Sequence, residues 1–180
     1  TGESVNYGVN TAESSVWWEG TKATYGHHGV VNVSGGMLTI EGEAVTAGNF
    51  MIDMATLVET DNQDTTSSAQ LIGHLSSPDF FDVATYPSAA FEITGAEANV
   101  SDSTSHTVMG NLTIKDQTNN ISFPAMIAVD GDNVSAEATF SINRNDWGVV
   151  YGSGVSGAVG DAIIGDMITF KVNLSGTKAQ

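Results

Sequence analysis

The 180-residue chain contains no cysteine. Disulfides, thiol chemistry and cysteine-ligated metals are therefore excluded, and the redox compartment is left open. Cations are scarce: Lys and Arg total 5 against 21 Asp and Glu, for a formal net charge of −16. No nucleic-acid partner is expected, because phosphate backbones are bound by clustered Lys and Arg. An anionic membrane surface would be repelled as well. So acidic a surface favours solubility, and low lysine with abundant Asp, Asn, Ser and Thr suits salty surroundings. Long hydrophobic runs are also missing; none approaches the roughly 20 residues that span a bilayer. Thr1-Gly2-Glu3-Ser4 has no basic start and no apolar run after it. No signal peptide is expected in this stretch, which does not place the chain in the cytoplasm.

What the chain does have is period two. Val16, Trp18 and Gly20 alternate with Trp17, Glu19 and Thr21; Val31 and Val33 alternate with Asn32 and Ser34. Leu38 and Ile40 follow Gly35-Gly36, which reads as a turn or bulge. The same alternation carries Phe50, Ile52 and Met54, then Phe91 and Ile93, then Val108, Gly110, Leu112 and Ile114. It continues through Ile121–Val129, Val134–Ile142 and Ile168–Leu174. Strict alternation means strands with one buried and one wet face. Asp130-Gly131-Asp132-Asn133 and Asp116-Gln117-Thr118-Asn119-Asn120 read as hairpins, so neighbours are antiparallel. Pro124 marks an edge, a bulge or a strand entry. The predicted fold is one all-β domain over residues 1–180, with a barrel favoured over a sandwich.

One segment departs from period two. Leu71, Ile72 and Leu75 are at helical spacing, with Ser67 placed to cap and Gln70 three residues on. Ser77-Pro78-Asp79-Phe80-Phe81-Asp82 reads as a second helical turn. Such an insert is a natural cover for one end of a barrel.

The motifs of common catalysis are missing. Gly152-Ser153-Gly154 and Gly154-Val155-Ser156-Gly157 lack the spacing of a nucleophile elbow. Val149–Gly154 lacks the Lys and the setting of a phosphate loop, and reads as a flexible loop near the barrel mouth. His27-His28 is the obvious metal suspect, but adjacent strand residues point to opposite faces. His74 and His106 have no ligand-like spacing to them. No catalytic residue, metal or cofactor is expected. Asp79 and Asp82 fit capping of a helical turn. Lys22 continues the Val16, Trp18, Gly20 face, so it lies either in the barrel mouth or on the surface.

Gly73-His74-Leu75-Ser76-Ser77-Pro78-Asp79-Phe80-Phe81-Asp82-Val83, then Tyr86-Pro87 and Ala90-Phe91-Glu92-Ile93-Thr94, form a long run. Further stretches stand in order around it: Ser15–Lys22, His28-Gly29, Phe50–Met54, Gly110–Ile114, Ile142–Gly148 and Gly165-Asp166. Together they resemble the YceI-like family of lipocalin-like polyisoprenoid-binding proteins. Lys115–Asn120 departs from the Gly and Thr-Lys-Pro turn usual in that family. The resemblance implies an extended eight-stranded antiparallel lipocalin-like β-barrel with a short helical insert capping one end. It implies a binding or carrier protein, not an enzyme, holding a long-chain isoprenoid, quinone or fatty-acid-like lipid in an elongated apolar cavity. Members are commonly periplasmic or secreted, some as lipoproteins, and often form homodimers.

The residues expected to contact such a ligand are Trp18, Lys22, Phe50, Ile52, Met54, Leu71, Leu75, Phe80, Phe91, Ile93, Phe140 and Trp147. Small inward residues (Gly20, Gly110, Ala125, Ala136, Ala138) leave room among them. A barrel of this size either fills its interior or holds one small ligand. Two other readings stay open: a filled barrel acting through its surface as an interaction or stress-response module, and an enzyme acting on a lipid head group.

Overall fold

A computed structural model describes residues 2–22, 25–99 and 104–180. The alternating segments form nine strands: β1 (Ser4–Val9), β2 (Ser15–Lys22), β3 (Gly26–Glu41), β4 (Ala44–Glu59), β5 (Ser88–Ala98), β6 (His106–Ile114), β7 (Gln117–Asp130), β8 (Asn133–Asn143) and β9 (Ile164–Lys178). One helix, α1 (Thr65–Leu75), lies between β4 and β5 among the described residues. The sheet order is β1-β3-β2-β9-β8-β7-β6-β5-β4, and the β3–β4 pairing closes it on itself. β2 takes the Gly26–Asn32 half of β3 and β1 takes the Met37–Glu41 part, while both also pair with β9. Nine strands therefore occupy eight barrel positions, and every pairing is antiparallel. β1 adds to the expected strands. Its Val5, Tyr7 and Val9 alternate as well, but the 3-10 turn Thr11–Glu13 cuts this short run off from β2.

Gly35-Gly36 is a bulge: the β3–β4 register shifts between Val33 and Gly35 and the strand runs on. The second hairpin is tighter than the sequence suggests. Only Lys115 and Asp116 form the turn, both with positive φ (52° and 64°), the twist that suits two-residue hairpins. Asn119 and Asn120 lie inside β7. Pro124 is exposed on β7, one residue before Ala125, where the ladder to β8 begins.

The N-cap of α1 is Asp64, not Ser67. Its carboxylate accepts from the Thr66 N–H at 3.1 Å and from Ser67 Oγ at 2.8 Å. A charged acceptor at the positive helix end is the stronger cap, and these hydrogen bonds, that of Ser67 first, hold the Asp64 carboxyl below its ordinary range. Leu71, Ile72 and Leu75 pack on Val16, Trp18, Val31, Val33 and Leu57, so α1 covers one end of the barrel. The following segment is a turn, not a second helical stretch. The Phe80 and Asp82 N–H groups both donate to the Ser77 carbonyl, at 3.0 and 2.9 Å, and Asp82 has φ 45°.

Candidate functional site: an apolar barrel cavity

The inward faces of the strands pack into apolar clusters and do not fill the interior. They leave an apolar cavity of about 230 Å³ that extends from Tyr7 and Val134 at one end to Phe80 and Ile164 beneath the α1 cover. Nine of the twelve residues expected at the site line it: Trp18, Phe50, Ile52, Met54, Leu75, Phe80, Phe91, Ile93 and Phe140. Gly20, Ala125, Ala136 and Ala138 line it too.

Three expected residues stand elsewhere. Lys22 lies at the end of β2, with its ammonium 5.8 Å from the centre of the Tyr25 ring. The β2–β9 register shifts between Gly20 and Lys22, so the face that Gly20 continues is broken there. Leu71 sits on the α1 turn above the cluster around Trp18, behind the cavity wall. Trp147 is 2% exposed and is itself part of the wall. β7 and β8 pair only from Ala125↔Ala138 to their hairpin. Where the ladder stops, the 3-10 turn Arg144–Trp147 docks: Trp147 Nε1 donates to the Leu112 carbonyl at 2.9 Å, and Asn119 Nδ2 donates to the Asp146 carbonyl at 2.8 Å.

Phe123 and Phe170 line the cavity as well, beyond the residues expected from the sequence. With Phe91 and Phe140 they make a continuous row of rings across the cavity. Ring centres are 5.5 Å apart from Phe91 to Phe123, 4.3 Å from Phe123 to Phe140 and 5.6 Å from Phe140 to Phe170. Phe91 reaches Phe123 over β6 because Gly110 stands between them. A Cβ at Gly110 would overlap the tip of the Phe91 ring and stand 2.5 Å from the Glu92 carbonyl oxygen. Both missed rings sit on faces whose alternation is plain, and alternation alone does not separate lining from core.

Polar groups are few. The Trp18 indole N–H is buried and has no hydrogen-bond partner among the described residues. No Lys or Arg is among the residues that line the cavity. Arg144 is close by and 2% exposed, and each of its three guanidinium nitrogens donates to a backbone carbonyl. Nε donates to the Gly165 carbonyl at 2.9 Å, Nη1 to Val149 at 2.8 Å and Nη2 to Ile164 at 3.0 Å. Burial draws its pKa below the usual range, against the opposing pull of Asp166. Arg144 thus clasps the segment between β8 and β9. Val149 and Ser153 in that segment are 1% and 0% exposed, so the stretch read as a flexible loop is anchored at both ends. Its Tyr151 ring packs on His74 and Phe80 at 4.8 and 5.3 Å. His74 in turn pairs with Asp79 at 3.0 Å. His106 opens β6.

A closed antiparallel barrel with a helix across one end and an apolar interior defines a lipocalin-like barrel protein. The YceI-like domain model matches residues 7–175, and the chain belongs to that family. No curated protein matches the sequence. Among solved structures, Burkholderia cenocepacia BcnA superposes with a TM-score of 0.75 at 22% identity, covering 94% of this chain and 99% of its own. A polyisoprenoid-binding domain from Saccharophagus degradans, implicated in plant cell wall breakdown, gives 0.68 at 12% identity over 97% and 99%. The Campylobacter jejuni YceI protein gives 0.61 at 16% identity over 89% and 85%. At these identities the likeness is one of fold.

Proposed function

We propose that this protein is a carrier that holds the chain of a long amphiphile, an isoprenoid, quinone or fatty-acid-like lipid, inside the barrel. The observation that carries the reading is the cavity itself, about 230 Å³ and lined almost wholly by apolar side chains. An apolar void of about 150 Å³ already stays dry and takes up an aromatic solute. Each methylene buried in such a space contributes about 0.8 kcal/mol, so one five-carbon isoprene unit contributes roughly 3–4 kcal/mol before ordering costs. Affinity of this kind requires no catalytic group, which favours a carrier over an enzyme.

The lining also bears on the head group. A phosphate would find no Lys or Arg among the lining residues and would approach a chain of net charge −16. A neutral head, such as an alcohol or a quinone, avoids both costs, and the unpartnered Trp18 N–H offers it a donor. The polyisoprenoid-binding relative supports the choice of chain. An extracytoplasmic location and a homodimer belong to the same proposal on the strength of the family likeness; sedimentation equilibrium tests the second.

The deciding experiment is native mass spectrometry and solvent extraction of freshly purified protein. The expected result is one long-chain amphiphile per barrel. Protein that purifies empty, and after delipidation takes up neither a prenyl alcohol nor a fatty acid, overturns the reading.

A further inference from the structure

At the β3–β4 edge of the barrel stands a cluster that the cavity does not use. His27 on β3 is opposite Gly20 of β2, and Glu59 ends β4 opposite Gly29 of β3, with Asp61 two residues on. His27 Nδ1 is 2.7 Å from Glu59 Oε2 and 3.2 Å from Asp61 Oδ2. One donor atom from each of the three lies within 4.8 Å of the others. The Glu59 side chain is fully enclosed, at 0% exposure, although its backbone reaches the surface. Neither of its oxygens has a hydrogen-bond partner among the described residues. An enclosed carboxylate without a hydrogen bond costs several kcal/mol. His27 does not relieve it: Nδ1 carries at most one proton, and its hydrogen-bond geometry is met by Asp61, not by Glu59. A group that bonds to the imidazole and both carboxylates at once is a metal ion.

We propose that His27, Glu59 and Asp61 form a binding site for a divalent transition-metal ion of the zinc class. Ligands about 2.0–2.2 Å from zinc stand roughly 3.0–3.5 Å apart; the 3.2 Å His27–Asp61 separation already fits, the 2.7 Å His27–Glu59 separation needs a small outward adjustment, and all three donor atoms lie within 4.8 Å of one another. The mixed imidazole and carboxylate set selects this class over calcium, which takes six to eight oxygens. Asp61 is already oriented, because its Oδ1 accepts from the His28 N–H at 3.2 Å, the kind of outer contact that holds a ligand in place. His27 and Asp61 side chains are 33% and 20% exposed, which gives an ion a path from solvent. Three protein ligands leave a position for water.

His27 and His28 do point to opposite faces of β3. His28 turns away from the cluster, its ring tilted against Trp17 at 5.5 Å and meeting Thr60 Oγ1 at 3.3 Å. The co-ligands come from the end of the next strand and the residues just after it, with Asp61 34 residues away, a spacing that no local motif records.

The test is titration of chelator-treated protein with Zn²⁺, read by isothermal calorimetry and by metal content after dialysis. One Zn²⁺ per chain is expected, with a raised unfolding temperature. Glu59→Gln and His27→Asn are expected to weaken binding at least tenfold. His74→Asn, which removes the other His–carboxylate pair, is expected to leave binding unchanged. Wild-type protein that retains no Zn²⁺ after dialysis overturns the proposal, whatever the variants do. So does equal loss of binding in His74→Asn and His27→Asn, which would make the uptake a property of surface histidines.

Discussion

Ala138→Phe tests the carrier reading at its centre. Ala138 pairs with Ala125 on β7 and Val172 on β9 and lines the cavity. It is only half-buried, because its methyl group borders open space. A phenyl group there would fill about the length of one isoprene unit. Loss of that unit's burial removes roughly 3–4 kcal/mol, or about 150- to 850-fold in Kd. The added ring costs at most about 1–3 kcal/mol in stability, so the variant stays folded. The assay is calorimetric titration of delipidated protein with a C15 prenyl alcohol, beside Ser135→Phe, which places the same ring on the exposed face of β8. Ala138→Phe should lose affinity in that range and Ser135→Phe should not. Equal Kd values for wild type and a folded Ala138→Phe would refute the claim that the chain lies in this cavity.

Four further outcomes follow from the geometry. Gly110→Ala should destabilise by about 1–3 kcal/mol in urea unfolding, since its Cβ meets both the Phe91 ring and the Glu92 carbonyl oxygen. Arg144→Met should cost about 3–5 kcal/mol in the same assay through loss of three charge-assisted hydrogen bonds, and protease should then cut between Val149 and Ile163. Asp166 is held below its ordinary pKa by hydrogen bonds from Ser153 and Asn145 and by Arg144. Its contribution is therefore complete above about pH 4 and disappears as pH falls through the lowered value, so wild type and Asp166→Asn should converge in acid-unfolding curves. No Lys or Arg forms an ion pair with a carboxylate among the described residues. Self-repulsion from the net charge of −16 is left to the solvent, so raising KCl from 0.1 to 2 M should raise the unfolding temperature. A flat salt response would count against that reasoning.

Period two made most of the barrel legible, because one wet face and one apolar face leave a signal at every second residue. Phe50, Phe91 and Phe140 could be placed inward for that reason alone. The features that escaped are not periodic. Trp147 belongs to a four-residue turn, and only the end of the β7–β8 ladder makes it wall instead of lining. Arg144 is one of only five cations, and its three acceptors come from residues 149, 164 and 165, which no local pattern records. Ser67 has the right chemistry for a cap, but Asp64 stands three residues earlier and is charged. Glu59 and His27 sit at strand ends, and only the β3–β4 register shows that they meet.

The way β7 and β8 part has a mechanical consequence. A ladder resists separation as many bonds loaded together, whereas below Ala125↔Ala138 β7 and β8 are joined by side chains: the Phe123–Phe140 stack and, through the Arg144–Trp147 turn, the Asn119 amide and the Trp147 indole on β6. Such a boundary behaves like a bolted panel in a welded tube. Strain on the barrel should concentrate there, where the panel would yield without unzipping the strands on either side.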